Sequence, residues 1–135
     1  THPLALDLHE PEEIAIFADI YDRTGEPLGR LPLVEEVRQA AVFGRADAVV
    51  LTGKDFEETK QMIAEVASSD VRTKILIGGG VNANNVQQAL RIADGIIISS
   101  AFKNFPAFTR QSMLADWDLQ KMKAFMQQVE ELPAG

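Results

Sequence analysis

Four times between Ile14 and Leu132 a short apolar run rich in β-branched residues gives way to a stretch whose apolar residues recur every three or four positions. That alternation constrains the fold more than any other feature of the chain. A helix lying between two strands of one sheet forces a crossover, and such crossovers place consecutive strands parallel and right-handed. The expected strands are Ile14–Tyr21, Ala48–Leu51, Lys74–Ile77 and Gly95–Ile98. The first is apolar along nearly all its length, as expected of a strand covered on both faces.

Local signals place the helices between them. Pro32 fits a first turn, Leu33, Val37, Ala40 and Ala41 mark a buried stripe, and Gly44 is suited to a C-cap. Asp55 and Glu58 form an acidic capping box ahead of Phe56, Met62, Ile63 and Val66. Asn82 can cap a third helix, with Val81 and Val86 as a hydrophobic staple and Ala89 and Leu90 buried. Asp118 caps a last helix with the stripe Leu119, Met122, Phe125, Met126 and Val129. A weak internal repeat, Ala46-Asp47-Ala48-Val49-Val50-Leu51-Thr52 against Ala93-Asp94-Gly95-Ile96-Ile97-Ile98-Ser99, supports the same division. Asp47 and Asp94 precede their strands and are read as structural turn or cap residues. The stretch from Asn104 to Ala115 has no clear period, yet Phe102, Phe105, Phe108, Met113, Leu114 and Trp117 crowd in and around it, as for a lid, a satellite core or, the preferred reading, a partner contact.

Four βα units with parallel strands make half of a TIM (β/α)8 barrel. A complete barrel takes about 250 residues, and this sequence has 135. Residues 1–135 are expected to form one α/β half-barrel domain without an internal linker; the alternative is a flavodoxin-like, doubly wound sheet covered on both faces. A half-barrel leaves two sheet edges and an inner face open. Exposing several apolar side chains, each worth about 1.5–3 kcal/mol when buried, would consume the stability of an ordinary domain. The chain is therefore expected to be a homo-oligomer or to join a missing N-terminal half-barrel.

Charge and composition narrow the function class. Lys and Arg total 13 against 20 Asp and Glu, a net charge of −7, which argues against nucleic-acid binding. There is no cysteine, so disulfides and thiolate metal ligands are excluded. No metal site and no cofactor is read from the residues. No apolar run approaches the length of a membrane span and no signal-peptide pattern opens the chain, so a cytoplasmic location is expected.

The candidate site lies at the ends of the last two strands. Gly78, Gly79, Gly80, Val81 and Asn82 follow the third, and Ser99, Ser100 and Ala101 follow the fourth. Glycines let an anion approach the backbone, the next helix offers N–H groups, and the hydroxyls can donate to the same phosphate. The competing reading is a tight turn needing positive φ, with serines that bond local backbone. Asp19, near the end of the first strand, is the candidate catalytic carboxylate, as base or metal ligand, or else a structural hydrogen-bond partner. Lys54 and Lys103 follow strand ends and are candidate substrate contacts, against a reading as solvated surface lysines. His2 and His9 are read as exposed. A phosphorylated small molecule is the expected partner, with the phosphate as a handle for lyase, isomerase or transferase chemistry.

The segments Phe17-Ala18-Asp19-Ile20, Pro27-Leu28-Gly29, Ala46–Gly53, Gly79–Val86 and Ala93–Lys103 together resemble the C-terminal half of the BtpA/SgcQ family of ribulose-phosphate-binding-type barrels. The resemblance spans nearly the whole chain. It implies strands five to eight of a barrel, and either an enzyme of unassigned substrate or a non-catalytic assembly factor, since some members are linked to photosystem I biogenesis. Three loops depart from the family pattern. Lys54-Asp55 leads straight into a helix where the family has a longer Gly- and Thr-bearing loop. After the first strand, where the family tends to carry Lys-His, this chain has Arg23-Thr24 nearby. Asn104-Phe105-Pro106-Ala107-Phe108 replaces a Gly-bearing turn.

Overall fold

A computed structural model describes residues 14–21, 28–104 and 110–133. His2, His9, Arg23, Thr24, Pro27, Phe105, Pro106 and Phe108 lie outside the described residues. The chain runs β1 (Phe17–Ile20), α1 (Leu33–Arg38), β2 (Ala48–Leu51), α2 (Phe56–Ala67), β3 (Lys74–Ile77), α3 (Val86–Ile92), β4 (Gly95–Ile96), α4 (Arg110–Leu114) and α5 (Leu119–Glu130). A π-helical turn, Gln39–Phe43, extends α1, and a 3₁₀ turn, Ser100–Phe102, follows β4. No helix among the described residues is long and apolar enough to cross a membrane.

The strands form one parallel sheet in the order β1-β2-β3-β4. Sequence neighbours are therefore spatial neighbours throughout, which is the connectivity of half a TIM barrel. The doubly wound alternative fails here, because it needs a reversal of strand order and helices on both faces. Instead one face carries the helices. Ile20, Val49, Leu51, Ile75 and Ile77 share a single core with Leu33 and Val37 of α1, Ile63 and Val66 of α2, Val86 and Ala89 of α3 and Phe125 of α5. The register sets the opposite face: Phe17, Ala48 and Lys74 in one row, then Asp19, Val50, Leu76 and Gly95. No described helix packs its core on that second face; Ala48 and Val50 of the central strand are buried on it, while Phe17 at the edge is 57% exposed.

The outer strands are shorter than the residues suggested. Only Phe17–Ile20 pairs, although the Ile16 carbonyl still accepts from the Asp47 and Ala48 N–H groups at 2.8 and 3.3 Å. An apolar run does not reveal that a strand lies at an edge with one neighbour. β4 stops at Ile96 because β3 ends at Ile77; the Ile97 N–H reaches the Ile77 carbonyl at 2.9 Å and the ladder has no further partner.

Helix boundaries follow the caps with small displacements. Pro32 is the N-cap of α1 rather than a first-turn residue. Gly44 closes the π turn by donating to Gln39 O at 2.8 Å, but the left-handed residue is Arg45, at φ 54°. Asp55 caps α2 by accepting from Glu58 N–H at 2.8 Å, and Glu58 reaches back to the Lys54 N–H. Asp118 caps α5, accepting from Gln120 and Lys121 N–H at 2.9 and 3.2 Å. In α5 the stripe is narrower than expected: Phe125 is buried and Val129 packs on the core, while Leu119 and Met126 are exposed.

Asp47 and Asp94 do the same work twice. Each leads into a strand and accepts the N–H of the neighbouring strand's first residues: Ile16 N–H to Asp47 Oδ2 at 2.7 Å, and Ile75 N–H to Asp94 Oδ2 at 2.9 Å. Arg38 joins α1 to the end of α2 through Asp70, at 2.8 and 3.3 Å. That guanidinium holds the Asp70 carboxyl below its ordinary value.

Candidate functional site

The C-terminal ends of the four strands bring Tyr21, Thr52–Lys54, Gly78–Asn85 and Ile97–Ala101 to one rim of the sheet. In barrels of this type that rim carries the chemistry.

The loop after β3 is held from two sides. Gly78 donates its N–H to Leu51 O at 3.0 Å. A Cβ there would strike the Thr52 hydroxyl and lie 2.6 Å from Val50 Cγ1. Glycine at 78 thus answers to the close approach of β2. Gly80 is different: its φ of +78° is the left-handed conformation that L side chains rarely adopt. Its carbonyl accepts from Asn85 Nδ2 at 2.9 Å.

Asn82 and Asn85 then build a closed box. The Asn82 N–H donates to Asn85 Oδ1, and the Asn84 N–H donates to Asn82 Oδ1, both at 2.8 Å. The expectation that Asn82 caps the third helix directly needs correction. Asn85 is the N-cap, α3 begins at Val86, and the turn between them is fastened by side chains. The N–H groups of Asn82, Asn84 and Asn85, which the sequence offered to an anion, are spent inside this box. Val81 and Val86 are both buried in the core, as a staple would place them.

The end of β4 is built by the 3₁₀ turn. Ser99 and Ser100 use their carbonyls locally, accepting from Phe102 and Lys103 N–H at 3.0 and 3.1 Å. The Ser99 side chain makes no capping bond and is exposed; Ser100 and Ala101 are half-buried. Phe102 fixes the turn by an edge-to-face contact with Phe125, with centroids 5.1 Å apart.

The remaining candidates are spread around this rim. Asp19 is exposed on β1, in register with Val50, on the face away from the helices. Lys54 is exposed at the start of the α2 cap. Lys103 donates from Nζ to Met113 O at 2.9 Å and lies 4.8 Å from the centre of the Trp117 ring. Its backbone bridges to Trp117 in antiparallel fashion. Lys103 thereby ties the Asn104–Ala115 region to the turn after β4.

Two groups at the rim were not read from the sequence. Thr59, fully buried, accepts from Gly53 N–H at 2.9 Å and donates to Asp55 O at 3.1 Å, pinning the turn after β2. Tyr21 closes β1 at φ 56°, donates its hydroxyl to Leu31 O, and carries the Arg30 guanidinium 3.7 Å above its ring. A left-handed aromatic residue at a strand end is uncommon. The only sequence signal for it was a tyrosine at the point where an apolar run meets a Gly/Pro-rich loop.

With the rim described, comparison with known proteins can be set beside it. The family model described as "BtpA family" matches residues 5–131. The chain belongs to the BtpA family. A curated BtpA relative, "Photosystem I biogenesis protein BtpA" of Synechocystis sp. (strain ATCC 27184 / PCC 6803 / Kazusa), is 29% identical over 93 residues. The match covers 67% of this chain and 32% of that BtpA protein, so the aligned part spans about a third of the relative's length. No solved structure matches the chain.

Proposed function

We propose that this BtpA-family chain binds a phosphorylated small molecule at the rim formed by Gly78–Asn82 and Ser99–Ala101. One observation carries the reading: the left-handed turn at Gly80 and the serine-led turn at Ser100 end neighbouring strands, β3 and β4. A turn without a Cβ and a pair of hydroxyls side by side can surround a phosphate with donors and no carboxylate. The helix-terminus contribution is small, because α3 starts beyond the Asn82–Asn85 box. Lyase, isomerase or transferase chemistry would fall to Asp19 on β1, two strands away from the glycine turn across the sheet, with the phosphate holding an extended substrate in place. Lys54 is the substrate contact this reading keeps on the solvent side. Lys103 reaches the ligand only by giving up Met113 O.

Calorimetric titration with inorganic phosphate and with a pentose phosphate tests the proposal. The wild-type chain binds, and Ser100→Asp, which sets a carboxylate against the anion, binds at least about tenfold more weakly at unchanged helix content. Equal binding by the variant, or none by the wild type, removes the site.

A second reading has its own support. The BtpA relative carries a biogenesis name, and Met113, Leu114, Trp117 and Leu119 are exposed together after Lys103. A non-catalytic assembly factor would use such a surface for protein contact. Recovery of a defined protein partner lost on Trp117→Asp, with no phosphate bound, favours that role.

A further inference from the structure

Beside the serine-led turn the chain makes a clasp that the anion site alone does not explain. Lys103 closes that turn, its N–H donating to Ser100 O at 3.1 Å, and pairs with Trp117 in an antiparallel bridge. The backbone on either side is fastened to the same returning segment. Asp118 N–H donates to Phe102 O at 2.7 Å, and Asn104 N–H donates to Asp116 O at 3.0 Å. Lys121 adds a further bond, from Nζ to Lys103 O at 2.7 Å. With the backbone clamped in this way, what can change at Lys103 is its side chain.

Two neutral partners hold that side chain. Nζ donates to Met113 O at 2.9 Å and stands 4.8 Å from the centre of the Trp117 ring. Among the described residues no carboxylate forms an ion pair with Lys103. An ammonium offered a phosphate gains a bond to a charged acceptor in place of one to a neutral carbonyl, and the charged bond is the stronger. The reach is short. The end residues of a turn such as Ser100–Lys103 have Cα atoms within about 7 Å of each other, a distance that a flexible four-carbon stem spans.

We propose that Lys103 couples the anion site to the Trp117 surface: a phosphate bound beside Ser100 draws the ammonium off Met113 O and the indole ring. The coupling rests on the phosphate reading above and gives that site a consequence elsewhere on the chain. In the empty chain, the ring and the carbonyl are rivals of the ligand for one cation. In the occupied chain, the segment carrying the exposed Met113, Leu114 and Trp117 loses its side-chain tie to the turn after β4. Whatever favours one arrangement of that segment over the other then changes phosphate affinity, and phosphate changes its affinity by the same factor.

Competition of this kind has an outcome that a merely structural role lacks: removing a rival tightens ligand binding, and removing the cation weakens it. In calorimetric titration with inorganic phosphate, Trp117→Leu binds about two- to fivefold more tightly than the wild type. Trp117→Phe, the milder change, falls between the two, because an indole holds a cation better than a phenyl ring. Lys103→Met binds about fivefold or more weakly. All three keep the wild-type circular dichroism spectrum. Trp117 is the single tryptophan of the chain, so its emission reports on the ammonium beside it. In the wild type that emission changes with the same midpoint as the heat; in Lys103→Met it stays constant at phosphate concentrations that fill the site. Tryptophan variants that bind phosphate equally or more weakly overturn the coupling, as does wild-type emission that stays constant through saturation. Undiminished affinity in Lys103→Met overturns it too. In each of these cases the phosphate reading survives. A wild type that binds no phosphate removes the anion site, and the coupling with it.

Discussion

Gly78 and Gly80 stand two residues apart in one loop and owe their identity to different forces. At Gly78 the obstacle is a neighbour, and at Gly80 it is the residue's own backbone. Gly78→Ala is expected to cost about 1–3 kcal/mol by overpacking, and trimming both Val50 and Thr52 to alanine in the same chain should lower that penalty. Gly80→Ala is expected to cost about 1–2 kcal/mol whatever its neighbours are, so the same double trimming leaves it unchanged. Urea unfolding of the singles and the combinations separates the two causes; identical rescue at both positions would refute the distinction. The three glycines were legible as a turn. Which of them serves packing depends on a side chain of β2, and no local pattern carries that. The Asn82–Asn85 box was hidden for a related reason: any of the three asparagines in Asn82-Ala83-Asn84-Asn85 can serve as a cap, and only the path of the chain chooses Asn85.

At the scale of single elements, the central strands and the capped helices were legible and the edges were not. β2 and β3 coincide with their apolar runs because both have partners on each side. β1 and β4 shrank because hydrogen-bonding partners, which sequence does not display, set their ends. Asp118 and Asp55 were readable as caps, since an acidic side chain just before a periodic stripe has few other uses. Asp118→Ala should cost about 0.5–2 kcal/mol and fray α5 first, visible as faster amide exchange at Gln120 and Lys121 than in the wild type. The tie between α1 and α2 is an exposed pair and contributes little. Its sign with pH is nevertheless definite. Arg38 lowers the carboxyl of Asp70 from its ordinary 3.8. The contribution is therefore present above that value and lost as pH falls through the lower, folded-state value. Wild type and Asp70→Asn should differ slightly in Tm at neutral pH and low salt, and the difference should vanish in strong acid. A gap that widened on acidification would contradict the pairing.

For the molecule as a whole, the sheet is protected on one side only by its own described helices. The homo-oligomer expected of a half-barrel predicts a concentration-dependent pattern of amide exchange, which a missing N-terminal half would not produce. Protection of Phe17 and Ile96, at the outer edges, should rise with protein concentration, while Val49 and Ile75 between them should not change. Uniform protection at all concentrations would mean that the edges are not a meeting surface. Asp47 and Asp94 add something different. Each carboxylate fastens the strand before it to the strand it introduces, β1 to β2 and β3 to β4, and no corresponding acidic residue leads into β3. The hydrogen bonding therefore groups the sheet into two pairs of strands, β1 with β2 and β3 with β4. The junction between β2 and β3 has no such carboxylate and is held by ladder and core, so an insertion placed there is expected to leave both stitched pairs whole.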